Sequence, residues 1–586
     1  MIAEEFMSYL DTYQNFLESP ELTDEEKARL SELTEEEKKE MFAIPLAFGT
    51  AGMRGVLDQG TNRMNRFTVR RATEGLANYI ETLGEQAKQQ GIVISYDTRR
   101  MSTEFAILAA KVLDAHNIKV FLFENVRPVP VCSFAIRHLN AIAGIMITAS
   151  HNPKIYNGYK VYGEDGAQMS PEATAKVVEF IDKLDYFGIA EADVKLDKES
   201  IVGKDNLKVD ANVTIIGKSV DNAYFKEIQK LCLSPDAVKK AGKNIKIVYT
   251  PIHGSGYMPV TTILDIMNIP VTVVPEQAKP DTEFSTVKVP NPEESDALKM
   301  AIELADKIGS DICIGTDPDC DRMGVAIRNR EGKFVLLNGN QIGALLCDYI
   351  LLRHKQNGTL PANAAIVKTI VTTNLANEIA SSYGVKTFDV LTGFKFIGEK
   401  IKEWEKTGEY TFMFGYEESY GYLSGTHARD KDAVVASMLF AEMACFYEAK
   451  GSSVFDRLME IFDTFGYYIE KSVSIFYEGL DGMEKMSAIM DKARSTALEK
   501  IDEKKVLSTS DLLNQITVNA DGSKEDTHLP KTNAIKWKLS DGDWVCVRPS
   551  GTEPKLKIYV ATKATSSDKA NALAEKYVAF MKAFLS

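Results

Sequence analysis

Residues 142–153 read IAGIMITASHNP, an apolar run followed directly by a polar loop. The apolar part has the length of a buried strand. The same order recurs in ICIGTDPDCDR, residues 312–322, and in FMFGYEES, residues 412–419. Because ligands gather at the carboxyl ends of strands in open α/β sheets, we expect these three loops to contribute to a site, and they could meet in one cleft.

Strand and helix patterns alternate around these loops, which favours an α/β layer architecture. The predicted strands are residues 92–95, 120–123, 142–147, 245–249, 271–274, 312–314, 366–371, 387–390 and 410–414. The predicted helices are residues 103–116 and 341–354. The end of the chain has a different pattern, with short strands at residues 537–539, 544–548 and 556–561 and a helix at residues 567–584. The sequence therefore predicts three α/β units and one small α+β unit.

The order of these patterns gives four expected domains. Their predicted bounds are residues 1–207, 208–327, 328–455 and 456–586. The first 41 residues are acidic and predict amphipathic helices, two of which start at the T-x-x-E capping boxes of Thr23 and Thr34. Residues 185–210 are polar and are predicted to form a connector, and residues 508–533 are a second polar region.

Composition narrows the function classes. The 586 residues carry 69 basic and 83 acidic side chains, a formal net charge of −14. This charge argues against general nucleic-acid or anionic-membrane binding, but it allows a basic pocket for an anionic metabolite. The seven cysteines include no CxxC pair, which favours a reducing compartment. The acidic N-terminus lacks a signal-peptide pattern and no run of about 18 apolar residues occurs, so we expect a cytoplasmic protein without a membrane span.

Ser150 is the candidate nucleophile, because a serine in a tight loop after a strand can present its hydroxyl to a substrate. The alternative for a single serine is a helix cap or a turn stabilised by its hydroxyl. A serine hydrolase is disfavoured, since the sequence has no GxSxG. His151 is adjacent in sequence and need not reach the hydroxyl.

Asp317, Asp319 and Asp321 are the candidate metal ligands. Carboxylates at this spacing after a strand repel one another unless a cation lies among them, and their hard oxygens suit Mg²⁺ best, with Ca²⁺ or Mn²⁺ possible. An EF-hand is excluded, because Arg322 stands where that loop needs glycine. A phosphatase with an aspartate nucleophile (DxDx[TV]) remains a rival, although Asp321 occupies the Thr/Val position. A solvated acidic turn is the remaining alternative.

Two further loops have binding chemistry. RPSGTEPK, residues 548–555, combines a guanidinium, hydroxyls and a glycine, which is the composition of a phosphate cradle. GYEESYG, residues 415–421, offers a carboxylate and a hydroxyl that can hold neighbouring sugar hydroxyls, and could also be a surface loop. Residues 429–432, RDKD, could be an exposed ion-paired turn. GxxxxGK[ST] is absent and no GxGxxG follows a strand, so we expect no nucleotide cofactor.

Ordered motifs across nearly the whole chain resemble the α-D-phosphohexomutases, the phosphoglucomutase/phosphomannomutase superfamily. The motifs are FGTAGMRG (residues 48–55), YDTRRMS (96–102), TASHNP (148–153), NGYKVY (157–162), TPIHGSG (250–256), VPNPEE (289–294), GTDPDCDR (315–322), LTGFKFIG (391–398), GYEESYGYL (415–423) and RPSGTEPK (548–555). The resemblance implies four domains around a central cleft, three with a mixed α/β core and a fourth like the TATA-box-binding-protein fold. It also implies reversible phosphate transfer between O1 and O6 of a hexose through a phosphoserine and a glucose 1,6-bisphosphate intermediate.

The resemblance assigns roles to individual positions. Ser150 is implied as the phosphoserine, and one Mg²⁺ per chain would be held by Ser150, Asp317, Asp319 and Asp321. The residues implied near the transferring phosphate are Arg54, His151, Lys160 and Arg322. The residues implied to bind substrate are Thr392, Gly393, Lys395, Glu417, Ser419, Lys431, Arg548, Ser550, Gly551 and Thr552.

The family resemblance leaves some points open. Tyr420 and Gly421 stand where glucosamine- and mannose-type members often have Gly-His, which places a catalytic histidine there in doubt. The length and the EESYGYL variant resemble the bacterial glucose-type branch, so glucose phosphates are the expected substrates, with mannose or pentose phosphates as alternatives. A metal-dependent sugar phosphatase and a non-catalytic phosphosugar-binding protein are the other candidate functions. We expect a monomer or weak dimer.

Overall fold

The computed structural model describes residues 8–49, 52–477, 482–549 and 555–585. The chain forms two compact units. The first comprises Met1–Leu337, Gly398–Lys406 and Tyr420–Ala449, and the second comprises Asn338–Ile397, Thr407–Ser419 and Lys450–Ser586. Among the described residues, no helix has both the length and the apolar character needed to cross a lipid bilayer.

Three short helices begin the first unit. They are α1 (Tyr9–Glu18), α2 (Asp24–Ser31) and α3 (Glu35–Phe42). The predicted capping boxes are present, because Thr23 and Glu26 bond each other's backbone N–H groups, as do Thr34 and Glu37. The helices bury a cluster of apolar side chains that includes Phe16 and Phe67.

The first sheet has seven strands in the order β1-β5-β4-β2-β3-β7-β6. Its elements are β1 (Met53–Val56), α4 (Arg66–Thr82), α5 (Glu85–Gln90), β2 (Ile92–Tyr96), α6 (Ser102–Ala115), β3 (Val120–Phe123), α7 (Val129–His138), β4 (Ala143–Ile147), β5 (Tyr156–Gly163), α8 (Pro171–Ile181), α9 (Lys198–Ile201), β6 (Leu207–Lys208) and β7 (Val213–Ile216). Strands β2 and β4 are parallel and fully buried, and Tyr96 pairs with Ile147 at their last residues. The loops after these strands therefore start side by side.

The second sheet also belongs to the first unit and has the order β12-β11-β10-β8-β9. Its elements are α10 (Lys218–Gln229), α11 (Pro235–Ala241), β8 (Ile247–Thr250), α12 (Tyr257–Ile266), β9 (Val271–Val273), α13 (Ser295–Ile308), β10 (Ile312–Thr316), β11 (Met323–Arg328) and β12 (Phe334–Leu337). Strand β10 runs parallel to β8 and antiparallel to β11. The acidic loop, residues 317–322, therefore joins two antiparallel strands at the carboxyl edge of β8 and β10.

The next elements are divided between the two units. They are α14 (Gly339–Asn357), β13 (Ala364–Thr369), α15 (Leu375–Ser382), β14 (Lys386–Val390), α16 (Phe394–Thr407), β15 (Thr411–Glu417), β16 (Gly421–Leu423) and α17 (Ala433–Glu448). In the second unit β13 pairs in parallel with both β14 and β15. Strand β13 ends before the predicted limit, because Thr372 N–H bonds to Thr369 O and closes a turn.

The C-terminal sheet of the second unit has the order β17-β24-β23-β22-β19-β20-β21, with β18 paired to β19. Its elements are α18 (Val454–Phe465), β17 (Tyr467–Phe476), α19 (Gly482–Ser495), β18 (Lys500–Ile501), β19 (Lys504–Asp511), β20 (Ile516–Asn519), β21 (Lys524–Asp526), β22 (Ile535–Leu539), β23 (Trp544–Pro549), β24 (Lys555–Ala564) and α20 (Ser567–Leu585). Strands β20 and β21 were not expected in the polar region 508–533, because these strands are largely exposed and lack an apolar run. The α+β character of this part is as predicted.

Candidate active site

Ser150 lies in the loop after β4, and its hydroxyl faces the acidic loop. Its backbone has φ +50°, in the left-handed region, and its N–H donates to Thr148 Oγ1 at 2.8 Å. Ser150 Oγ donates to Asp317 Oδ2 at 2.8 Å and lies 3.2 Å from His151 Nδ1. The hydroxyl therefore caps no helix, and His151 does reach it.

The three aspartates of the acidic loop are buried and converge. One carboxylate oxygen from each lies within 4.8 Å of the others. Asp317 Oδ1 accepts the N–H groups of Asp321 and Arg322 at 3.1 and 3.0 Å, which fixes the loop around this carboxylate. The buried Asp319 Oδ1 and Asp321 Oδ1 accept no hydrogen bond. Two buried anionic oxygens without a donor are costly unless a cation occupies the space, so the residues fit a metal site.

Two lysines neutralise the opposite side of these carboxylates. Lys160 Nζ, on β5, lies 2.8 Å from Asp319 Oδ2, and Lys431 Nζ lies 3.2 Å from Asp321 Oδ2. Burial opposes the charge of Lys160, but Asp319 and Asp321 more than offset it, so the pKa of Lys160 is raised. Burial and the neighbouring Asp319 and Asp321 raise the pKa of Asp317 well above its usual range. The site is therefore rich in negative charge and favours a cation.

Three further predicted residues surround Ser150. Burial, with the positive charges of Arg322 and Arg54, lowers the pKa of His151 well below its ordinary value, so this imidazole is neutral. Arg54, on β1, donates to Asn152 Oδ1 at 2.9 Å. Arg322 pairs with Glu293 at 2.5 Å. The first unit thus brings together Ser150 and all the residues implied near the transferring phosphate.

The TPIHGSG motif, residues 250–256, packs against the acidic loop at Pro318. A Cβ at Gly254 would lie 2.5 Å from Pro318 Cα, so only glycine allows this approach. Ser255 N–H and Oγ both donate to Pro318 O at 2.8 Å. His253 is turned away and bonds Lys279 O and Thr286 Oγ1, so it is a structural residue.

The charged run at residues 429–432 is buried, not an exposed turn. Arg429 pairs with Glu405, and Asp430 accepts from Tyr162 OH at 3.1 Å and from Lys431 Nζ at 3.0 Å. Asp432 caps α17 through Val435 N–H. Asp430, which the sequence interpretation did not single out, therefore holds Lys431 toward Asp321.

The residues predicted to contact the sugar lie in the second unit, apart from Lys431. Glu417 ends β15, and its Oε1 accepts Gly393 N–H at 2.8 Å, next to Thr392. Gly393 has φ +116°, which disfavours any other residue at this turn. Lys395 Nζ lies 5.0 Å over the Phe396 ring, and Ser419 is partly exposed. Glu417 thus links the two loops predicted to contact the sugar.

Arg548 occupies the end of β23, opposite Lys557 of β24. Burial and the nearby Glu418 raise the pKa of Tyr559, and Glu417 raises it further. The positive charge of Arg548 lowers it. The second unit therefore brings Arg548 and Glu417 to the surroundings of one tyrosine. The other predicted phosphate ligands, Ser550, Gly551 and Thr552, lie outside the described residues.

This arrangement, a buried serine beside an acidic oxygen-ligand cluster on a multidomain α/β scaffold, agrees with the comparisons to known families. Models of the phosphoglucomutase/phosphomannomutase α/β/α domains I, II and III match residues 45–187, 222–332 and 338–465, and the model of the C-terminal domain matches residues 489–579. The chain therefore belongs to the phosphoglucomutase/phosphomannomutase family. The family resemblance and the fold class expected from the sequence are both confirmed.

Individual relatives and solved structures agree with this family membership. The chain is 39% identical to a phosphoglucomutase of Staphylococcus epidermidis over 93% of this chain and 95% of the relative. It is 38% identical to a phosphoglucomutase of Staphylococcus aureus, over 91% of this chain and 92% of the relative. A putative phosphomannomutase of Thermus thermophilus has the same fold, with TM-score 0.66, 22% identity and coverage of 92% and 99%. The Paramecium phosphoprotein parafusin, described as a phosphoglucomutase in an open form, has the same fold with TM-score 0.67 and 17% identity. The match covers 91% of this chain and 94% of parafusin.

Proposed function

We propose that the protein is an isomerase that reversibly transfers a phosphoryl group between O1 and O6 of a hexose, converting glucose 1-phosphate to glucose 6-phosphate. The observation that carries this proposal is the 2.8 Å contact of Ser150 Oγ with Asp317, inside a buried cluster of metal-type ligands. The relatives named phosphoglucomutase support the choice of substrate.

The reaction takes two balanced steps. Phosphoserine 150 gives its phosphoryl group to a free sugar hydroxyl: the Ser150 O–P bond breaks, a sugar O–P bond forms, and the hydroxyl proton ends on the Ser150 oxygen. The product of this step is glucose 1,6-bisphosphate, which also serves as activator. The bisphosphate then turns over and its other phosphoryl group returns to Ser150: that sugar O–P bond breaks, the Ser150 O–P bond forms again, and the serine proton passes to the sugar oxygen. The neutral His151 Nδ1, 3.2 Å from Ser150 Oγ, is placed to relay the serine proton once the hydroxyl turns from Asp317.

The surrounding charges match this chemistry. Asp317, Asp319, Asp321 and Ser150 would hold one Mg²⁺ per chain, and the bound ion supplies positive charge beside the phosphoryl group. Lys160, Lys431 and Arg322 add fixed positive charge, which stabilises the negative charge on the oxygens of the transferring phosphoryl group.

Recognition of the sugar is assigned to the second unit together with Lys431. The residues proposed to contact sugar hydroxyls are Thr392, Gly393, Lys395, Glu417 and Ser419. The residues proposed to hold the non-reacting phosphate are Arg548, Ser550, Gly551 and Thr552. Because the sugar must bind in two orientations, Glu417 and Ser419 are expected to read O3 and O4, which exchange places when O1 and O6 do. Glucose and mannose share these hydroxyls, so both should react.

The test is a panel of 1-phosphates of glucose, mannose, galactose and ribose, each with a trace of its bisphosphate and Mg²⁺. Conversion of glucose 1-phosphate to glucose 6-phosphate without release of phosphate supports the proposal. Chelation should abolish turnover, and Mg²⁺ should restore it. Stoichiometric phosphate release would instead identify a phosphatase, and no turnover of any sugar would leave only binding.

The four domain bounds expected from the sequence and a monomeric or weakly dimeric state complete the proposal. Limited proteolysis should cut in the exposed segments nearest these bounds, at residues 202–206, 329–333 and 449–453, and light scattering should give a mass between those of one and two chains. Cuts inside the predicted domains, or a larger stable assembly, would contradict these two points.

A further inference from the structure

The motif YDTRRMS has no role in the chemistry above, yet it lies directly beside the nucleophile loop. Its first residues follow β2, whose last residue pairs with the last residue of β4. Arg99 is 2% exposed, although an arginine is seldom buried without partners. Its contacts therefore show what the motif does.

The Arg99 guanidinium bonds four backbone carbonyls of the nucleophile loop. One terminal nitrogen donates to Ser150 O and Asn152 O, each at 2.5 Å. The other donates to Pro153 O at 3.0 Å and Tyr156 O at 3.1 Å. The planar fork is suited to several acceptors at fixed angles, which an ammonium group cannot reproduce. The whole turn after Ser150 is thus fastened to one side chain.

Asp97 completes the attachment on the other side of Ser150. Its carboxylate lies 3.3 Å from Arg99 Nε and accepts the Thr148 hydroxyl at 2.6 Å. With its proton directed to Asp97, the Thr148 oxygen is left to accept the Ser150 N–H at 2.8 Å. This chain of contacts holds Ser150 at its left-handed φ, a conformation that non-glycine residues seldom adopt.

Arg99 also contacts the loop after β9, because its guanidinium lies 5.1 Å over the buried Phe284 ring. Its two terminal nitrogens donate to the four loop carbonyls, and its buried Nε forms only an ion pair with Asp97, so no terminal N–H is left for a phosphate. Its action on the reaction must therefore pass through Ser150.

We propose that Arg99, supported by Asp97, is a positioning residue that fixes Ser150 for phosphoryl transfer in both half-reactions. The inference rests on the proposed mutase function. Misplacement of a reacting atom by about 1 Å can cost about 100-fold in rate. Loosening the loop should therefore lower the rate of transfer to and from Ser150 without weakening sugar binding, and should allow water to compete for the phosphoserine.

The test compares Arg99→Lys with Arg100→Lys, an exposed neighbour. We expect Arg99→Lys to lower kcat by roughly 100-fold with KM changed by less than about threefold, and Arg100→Lys to change neither. The ratio of isomer formed to phosphate released should also fall for Arg99→Lys. A lower yield of folded enzyme alone would leave this ratio and KM unchanged, so the ratio separates positioning from simple loss of structure.

If Arg99→Lys does not fold, Thr148→Val interrupts the contact to Ser150 N–H on the Asp97 side and should give the same pattern. An unchanged kcat in either folded variant, or a higher KM at unchanged kcat, would overturn the inference. Failure of the proposed function is distinguishable, because the unmodified protein would then acquire no phosphate on Ser150 from the bisphosphate.

Discussion

Acidic side chains that are buried in the first unit and mostly half-buried in the second are held in different ways. In the first unit, Asp319 and Asp430 each contact a lysine, and the lysines outweigh the cost of burial and lower the pKa of both acids. In the second unit, Glu418 instead accepts the hydroxyls of Thr369 and Thr372 at 3.1 and 3.2 Å, and burial raises its pKa.

Glu470 of the second unit follows the same pattern. Burial raises its pKa to about 7, and Thr373 only partly opposes the shift. Asp389 differs, because Lys368 lies 2.9 Å from it. The comparison teaches that the nucleophile region has fixed charges ready for phosphate and metal. The second unit has neutral donors that hold loops in place, and one acid, Glu470, whose pKa is raised to about 7.

The largest effect in this comparison is expected when Ser150, the nucleophile beside the charged groups of the first unit, is replaced. Ser150→Ala should lower mutase activity by more than about 10⁴-fold, because the covalent route is lost. Peptide mapping should find phosphate at Ser150 in the unmodified protein and none in the variant. Ser170→Ala, which changes only the cap of α8, is the control. Phosphate on an aspartate, or an active Ser150→Ala enzyme, would contradict the assignment.

A smaller effect is expected from the second unit, where Arg548 is assigned to the non-reacting phosphate. Loss of one charge-assisted contact corresponds to about 1.5–3 kcal/mol, so Arg548→Ala should lower kcat/KM by roughly one to two orders of magnitude. The variant should still accept phosphate on Ser150. Lys531→Ala, at an exposed position of the same unit, is the control. An unchanged kcat/KM would remove Arg548 from the phosphate site.

The sequence could predict those parts of the site that are local. The strand-end loops with Ser150 and Asp317 follow from apolar runs and spacing, and the structure has both. The bond from Tyr162 to Asp430 and the bonds from Arg99 to the Ser150 loop could not be predicted, since these partners are distant in sequence. A charged segment such as RDKD (residues 429–432) is interpreted as solvent-exposed until the partner of each charge is known. Strands β20 and β21 were missed for a related reason, because their side chains lie largely in solvent.

Glu417→Gln tests whether sugar recognition depends on the carboxylate or only on the loop that it holds. The amide oxygen of glutamine can still accept Gly393 N–H, so the turn should persist while the bonds to sugar hydroxyls weaken. We expect kcat/KM for glucose and mannose 1-phosphates to fall by roughly 10-fold, consistent with loss of one bond to a charged group. Galactose 1-phosphate, inverted at C4, should be poor for both enzymes. Glu409→Gln, exposed beside β15, is the control. A kcat/KM for galactose 1-phosphate equal to that for glucose 1-phosphate, or an unchanged kcat/KM for every sugar in Glu417→Gln, would refute the assignment of Glu417 to the sugar hydroxyls.

The mildest change is Glu470→Gln, which tests the titratable character of the second unit. With a folded pKa of about 7 and an ordinary value of 4.5, Glu470 keeps its proton in the folded protein while the unfolded chain has lost it. Stability therefore falls as pH rises from about 4.5 to 7, and the penalty is complete above that window. A shift of this size corresponds to at most about 3.4 kcal/mol.

Glutamine carries no such penalty, so Glu470→Gln should stabilise the second unit by roughly 1–3 kcal/mol at pH 8 and by almost nothing at pH 4.5. The measurement is the unfolding transition of the second unit in urea at both pH values, with Glu484→Gln, exposed on α19, as the control. An equal gain at both pH values would indicate a packing effect. No gain at pH 8 would mean that Lys368, whose charge lowers the pKa of Glu470, already compensates the carboxylate. The acids of the two units would then be stabilised in the same way, and the contrast between them would fail.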